Sequence, residues 1–203
     1  PSTLYKLLGV NSTADGNQLK AIQEIPRKCQ KFASIFKHIP VSRRDISTGY
    51  NTIFIPMIKY PLHATTIQSK KLNQIQKNLT TQILPRLGFN QHFPRAVVYS
   101  PKKHGGIGLL NLTHEQDLSH VIFMLQQMVR KTECNKLLTI LCKTYQFQAG
   151  MTESCLIDTE PRKYMSAPWI DGVRQILHKC KAKIHTSQIK TISIRWKNDI
   201  AIM

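Results

Sequence analysis

The sequence predicts a mainly α-helical fold, a helical bundle with a short N-terminal strand and one β-hairpin near residues 95–112. Three observations lead there. Apolar residues recur at intervals of three and four over several long stretches, the period of a helix with one buried face. Alternating or β-branched runs are short and confined to the first residues, the Phe93–Leu112 stretch and the last residues. Between these segments fall Gly, Pro and Ser/Thr residues of the kinds that cap helices and build turns.

Taken in order, LYKLLGV (Leu4 to Val10) reads as a strand that stops at NSTADGN, where Ser12, Asp15 and Gly16 supply turn chemistry. From Gln18 onward Leu19, Ile22, Ile25, Cys29, Phe32, Phe36 and Ile39 share a helix face, with Lys20, Arg27, Lys28 and Lys31 opposite. Pro26 inside that pattern predicts a kink or a division. A second helix follows the N-cap Ser42, with Arg43 and Arg44 in a first turn whose positive dipole end disfavours cations. Pro56 and Pro61 are expected to break its later part. A third helix from Ser69 aligns Leu72, Ile75, Leu79 and Ile83 and ends at Leu87-Gly88.

Next comes FPRAVVYSPKKHGGIGLLNL, from Phe93 to Leu112. Arg95–Ser100 reads as a strand, Pro101–Gly106 as a turn with Gly105 and Gly106 at positive φ, and Ile107–Leu112 as the returning strand. Thr113 and Gln116 make a capping-box pattern that opens a helix burying Leu118, Val121, Ile122, Leu125, Met128 and Val129. Another helix, from about Asn135 to Phe147, aligns Leu137, Leu138, Leu141, Cys142 and Tyr145, and Gly150 follows its end. Residues 151–168 lack a period and read as a linker, a last helix spans roughly Pro168–Ile184, and TISIRWKNDIAIM alternates as a terminal strand.

Charge narrows the function. Twenty-nine Lys and Arg stand against 11 Asp and Glu, a net +18. Such an excess costs folding energy by self-repulsion, and the partner that compensates it is a polyanion. It is also uneven: after Asp45 no acid occurs until Glu115, while Lys59, Lys70, Lys71, Lys77, Arg86, Arg95, Lys102 and Lys103 lie between them. A helical face that is merely solvated mixes signs and gains i,i+4 pairs, which this stretch cannot make within itself.

Five scattered cysteines without a CxxC point to reduced thiols in an intracellular setting. No signal peptide or membrane-spanning run is present, so no membrane partner is expected. The chain begins at Pro1 without a Met, as a piece of a longer protein would.

Phosphoryl transfer with two metals needs clustered carboxylates, and no Asp-Asp or Asp-x-Asp occurs here. His178, Cys180 and His185, or His114, His120 and Cys134, offer metal-ligand atoms without a familiar spacing. His104-Gly-Gly-x-Gly108 suggests a phosphate cradle but lacks the strand–loop–helix context of one, so a turn is the better reading. Tyr50, Phe54, Tyr60, Phe89, Phe93 and Tyr99 interleave with the cations; stacking on bases is possible, and their spacing suits core packing better.

Three stretches together carry a resemblance. LYKLLGV with its Asp-Gly-Asn turn, YPLHATTIQSKKLNQIQ (Tyr60 to Gln76) and LGFNQHFPRAVVYSPKKHGGIGLLNLTHEQ (Leu87 to Gln116) are similar to segments of reverse transcriptases of the non-LTR (LINE-like) retrotransposon class. WKNDIAIM is a looser echo of a downstream segment. The likeness runs from near the start of the chain to its end and is densest between Tyr60 and Gln116.

The resemblance implies the C-terminal thumb and connection region of such an enzyme. Residues 1–17 would end a palm-like strand and turn, and residues 18–92 would form a thumb-like helical region. Residues 93–150 would hold the basic hairpin and two helices, and residues 151–203 a linker, a helix and a terminal strand. The Tyr-x-Asp-Asp motif of the palm is absent from this chain, so no catalytic residue is assigned and Mg is expected only in the missing palm.

The expected function is binding of an RNA/DNA template–primer, with the rest of the parent enzyme as the other partner. The alternative is a stand-alone basic RNA- or DNA-binding module without polymerase function. Lys28, Lys31, Arg43, Arg44, Lys70, Lys71, Arg95, Lys102 and Lys103 are the expected phosphate contacts, which position a duplex without reading its sequence.

Overall fold

The computed structural model describes residues 4–7, 10–13, 19–38, 40–162, 164–165 and 167–190. It is mainly helical and divides into two compact units, Pro1–Gln116 and Asp117–Met203. The terminal strand expected over residues 191–203 and most of the turn at Asp15 and Gly16 lie outside the described residues.

In the first unit, the strand expected over Leu4–Val10 is split. Leu4–Leu7 (β1) pairs antiparallel with Val10–Thr13 (β2), Leu4 opposite Thr13 and Leu7 opposite Val10. Helix α1, Leu19–His38, passes through Pro26 without division and buries Ile25, Cys29, Phe32 and Ala33. Helix α2, Arg43–Gly49, continues through a π-helical turn, Tyr50–Phe54, into α3, Ile55–Ala64.

That continuity corrects the expectation that Pro56 and Pro61 end the helix. In the π turn the Ile55 N–H reaches back five residues to the Tyr50 carbonyl, and Pro56, which has no N–H to donate, follows directly on that widened turn. Around this run sits an aromatic cluster. The Phe32 ring centroid lies 4.3 Å from Phe36 and 4.6 Å from Phe54, and Tyr50 lies 5.2 Å from Phe54. Helix α4, Ser69–Ile83, packs beside α1 and buries Leu72, Gln76, Leu79, Thr80 and Ile83. Its end tightens into a 3₁₀ turn, Leu84–Leu87, closed by Gly88 at φ 83°.

The β-hairpin near 95–112 is not formed. Arg95–Tyr99 is a short helix, α5, behind Pro94 at its N-cap; Lys102–His104 is a 3₁₀ turn, and residues 105–111 are irregular. The chain does reverse. The amides of Ile107 and Leu109 donate to the Val97 and Val98 carbonyls at 3.0 and 3.1 Å, taking up acceptors that the end of α5 leaves open.

The other side of the returning run is bonded by side chains in place of a strand. Asn51 Nδ2 donates to the Gly108 carbonyl (2.8 Å) and its Oδ1 accepts from the Leu110 amide (3.2 Å). Gln76 Nε2 donates to the Leu110 carbonyl and its Oε1 accepts from the Leu112 amide, both at 2.9 Å. Carboxamides thus do the work of a neighbouring strand, and tertiary contacts override the β-branched propensity of Val97 and Val98.

Helix α6, Leu112–Val129, contains the unit boundary. Its cap differs from the capping box expected at Thr113 and Gln116. Asn111 Oδ1 accepts from the Thr113 and His114 amides (2.8 and 3.3 Å), while the Gln116 carboxamide brackets Ile67, bonding both its N–H and its carbonyl at 3.0 Å.

The buried face of α6 differs too. Glu115, Gln116, His120, Met124, Gln127 and Met128 are inside, whereas Leu118, Leu125 and Val129 are exposed. An unpartnered buried polar group costs about 1–3 kcal/mol, so a polar face goes inside only when it is bonded. Glu115 pairs with Lys59 at 3.0 Å, and the Gln127 side-chain oxygen accepts from the Thr132 hydroxyl at 3.2 Å.

In the second unit α7, Glu133–Gln148, starts at Thr132, whose hydroxyl accepts from the Asn135 amide at 3.3 Å. It buries Leu138, Cys142 and Tyr145 but leaves Leu137 and Leu141 exposed, again against the expected stripe. The segment read as a linker is partly core, with Met151, Cys155 and Leu156 buried. Helix α8, Pro168–Lys179, is shorter than expected. Its Arg174 is buried, with Nη2 donating to the Glu160 carbonyl at 2.6 Å and its guanidinium 4.8 Å from the Tyr145 ring centre.

Candidate nucleic-acid interface

The first unit gathers three of the nine expected phosphate contacts. Ser42 caps α2 through a reciprocal box in which its hydroxyl accepts from the Asp45 amide (3.2 Å) and the Asp45 carboxylate accepts from the Ser42 amide (3.3 Å) and hydroxyl (2.7 Å). The only acid of this stretch is therefore engaged with the cap, and the adjacent Arg43 and Arg44 stay exposed with no carboxylate partner among the described residues.

Arg43 lies flat on the Gly88 turn. A Cβ added to Gly88 would meet only the movable guanidinium end of Arg43, so it is the left-handed φ of 83° that calls for glycine at this turn. Lys102 enters from the 3₁₀ turn Lys102–His104. Together Arg43, Arg44 and Lys102 line an open basin of about 420 Å³ with Ser47, Leu87, Phe89, Phe93, Val97, Gly105, Gly106 and Ile107. No carboxylate lines it.

Its floor is apolar. The Phe89 and Phe93 rings, half-buried against the core, stand 4.8 Å apart centre to centre. Beside them Ser47, 7 % exposed, holds a hydroxyl without a hydrogen-bond partner among the described residues. The sequence gives no sign of Ser47. The Phe89 and Phe93 rings pack against the core, as their spacing suggests, and also line the basin.

The glycine turn is not an anion cradle. The amides of His104, Gly105, Gly106 and Gly108 donate to the carbonyls of Pro101, Lys102, Pro101 and Ser100 at 2.9 to 3.2 Å, leaving none to point at a ligand. Gly105 has the expected positive φ of 81°, but Gly106 does not. It is glycine for a different reason: a Cβ there would collide with the Ser100 carbonyl. Cationic side chains, not backbone amides, are what this turn offers.

The other expected contacts are spread out. Arg95 lines a separate groove of about 540 Å³ with Lys77 and His92, where its Nη2 donates to the Gln91 carbonyl at 3.1 Å. Lys28 and Lys31 lie on α1, Lys70 and Lys71 in the first turn of α4, and Lys103 on the 3₁₀ turn; none of these five lines either cavity. No carboxylate partners any of the nine among the described residues. Lys59 differs, because Glu115 neutralises it in a half-buried pair.

Three of the five cysteines, Cys29, Cys142 and Cys155, are buried. Burial pushes the Cys29 thiol up to about 12, and the hydrogen bond with Cys155 together with burial pushes Cys142 up. Cys155 itself is fully enclosed. Among the described residues no group of three His, Cys, Asp or Glu side chains is placed to hold a metal ion, and no helix is long and apolar enough to cross a membrane.

No family model, curated protein or solved structure matches this chain.

Proposed function

We propose that this chain binds nucleic acid through its first unit, positioning a template–primer behind a polymerase centre supplied by residues other than these. The observation that carries the reading is the convergence of Arg43, Arg44 and Lys102 on one basin that no acid lines, in a chain of net +18. Cations without carboxylate partners keep their field for phosphates, and each phosphate they neutralise releases counterions. The resemblance of the Tyr60–Gln116 stretch to non-LTR retrotransposon reverse transcriptases is what suggests a template–primer as the ligand and the thumb and connection region as this chain's part of such an enzyme.

Titration of the chain against an RNA–DNA hybrid with a recessed end, double-stranded DNA and single-stranded RNA at two salt concentrations tests this. The expected result is salt-dependent binding with a preference for the recessed hybrid. Salt-dependent binding without that preference favours a stand-alone basic module. Absence of salt-dependent binding to every probe overturns the reading.

A further inference from the structure

We propose that the basin beneath Arg43, Arg44 and Lys102 receives an unstacked nucleobase, from a single strand or an unpaired end, with its flanking phosphates on those three cations. This rests on the nucleic-acid reading above and names the ligand of the same site.

A duplex presents sugars and phosphates to a protein that grips its backbone, and such a contact needs cations and polar groups only. This basin has a second layer. The same basin is lined by Leu87, Phe89, Phe93, Val97 and Ile107, apolar groups that a phosphate backbone cannot satisfy and the flat face of a base can. Phe89 and Phe93, with centroids 4.8 Å apart, are half-buried: the core fixes them while part of each ring stays open.

A platform of that kind costs little side-chain entropy on binding, because the rings are held in place beforehand. The basin's volume of about 420 Å³ falls in the range of small-molecule sites. The absence of any lining carboxylate fits an anionic occupant.

Fluorescence anisotropy with the whole chain tests the idea with three probes: a single-stranded oligothymidine, an abasic oligonucleotide of equal length, and a blunt duplex. Stacking on one or two aromatic rings predicts that the abasic strand binds about tenfold more weakly than oligothymidine. Phe89→Leu with Phe93→Leu keeps the apolar volume, and circular dichroism checks that the variant is folded. It should erase that tenfold difference and leave the salt slope unchanged.

Equal binding of the abasic and normal strands by the unaltered chain overturns the inference while leaving the proposed function standing. So does a leucine variant that still discriminates between them. Loss of salt-dependent binding to all three probes overturns the proposed function itself.

Discussion

The side-chain amide of Gln76 donates to the hydroxyl of Tyr50 across 3.1 Å, and both groups converge on the carbonyl of Leu110, each at 2.9 Å. Through its Oε1 the same Gln76 holds the Leu112 amide. One glutamine from α4 thereby links the π turn to the returning run that forms a wall of the basin.

Gln76→Leu should therefore be costly. It leaves the buried Leu112 amide without a partner, a loss of about 1–3 kcal/mol in a urea unfolding titration. Tyr50→Phe should cost about 1 kcal/mol, because Gln76 still bonds Leu110. Equal losses for the two variants would mean that the glutamine does not anchor the run.

The two glycines of the basin should rank by mechanism. Gly105 is left-handed with nothing within 4 Å of an added Cβ, so Gly105→Ala should cost about 1–2 kcal/mol of backbone strain alone. Gly106→Ala has no such strain but must push the Ser100 carbonyl away, and should cost more. Thermal unfolding of the two variants compares them; a Gly106→Ala protein as stable as Gly105→Ala would refute the close approach.

Changing Arg43, Arg44 and Lys102 together to Gln should reduce the salt slope of binding by about 2–3, at 0.7 to 0.9 for each phosphate contact. Lys59→Gln provides the contrast. Its ammonium is already paired with Glu115, so the slope should hold while stability falls, since Glu115 keeps a mostly buried charge. Should Lys59→Gln lower the slope as the triple variant does, the basin has no special part in binding.

Alkaline pH should weaken the first unit from about pH 9 upward. Burial raises the Cys29 thiol from 9.0 to about 12, so above pH 9 the unfolded chain gives up a proton that the folded chain keeps. Stability is then full below pH 9 and falls with a slope of about 1.4 kcal/mol per pH unit for each such group, until the folded thiol also ionises near 12. Tyr50, raised by burial from 10.0, joins only above pH 10. Between pH 9 and 10 Cys29→Ala should show a shallower decline than the unaltered chain, read from unfolding titrations at several pH values.

Helices were legible where a single apolar face met standard punctuation. The α4 face of Leu72, Leu79 and Ile83, the Ser42 cap and the turn at Gly88 all lie where periodicity and capping chemistry put them. The reading failed where side chains replace backbone partners. Nothing in a β-branched run such as Val97-Val98 announces that Asn51 and Gln76, dozens of residues earlier, will bond the segment that follows.

On α6 the leucines marked the wrong face, because the Glu115 and Gln127 side chains enter the interior already bonded, to Lys59 and to the Thr132 hydroxyl. As for the basin, its cations were visible as charge, but their grouping was not. Arg43 and Lys102 are far apart in sequence and meet only through the turns at Gly88 and Gly105.

The π turn has a consequence for chain length. Ile46, Tyr50, Phe54, Ile58 and Leu62 stand strictly four apart, and all are fully buried. A regular α-helix advances about 100° per residue, so each interval of four overshoots a full turn by about 40° and the series would wind out of the core. The wider turn at Tyr50–Phe54 absorbs that overshoot midway. Deleting one residue there would let the ladder revert to a regular α-helix, with Ile58 and Leu62 still within about 20° and 60° of the facing of Ile46. The π turn is thus the place where this helix can shed one residue and keep its buried face.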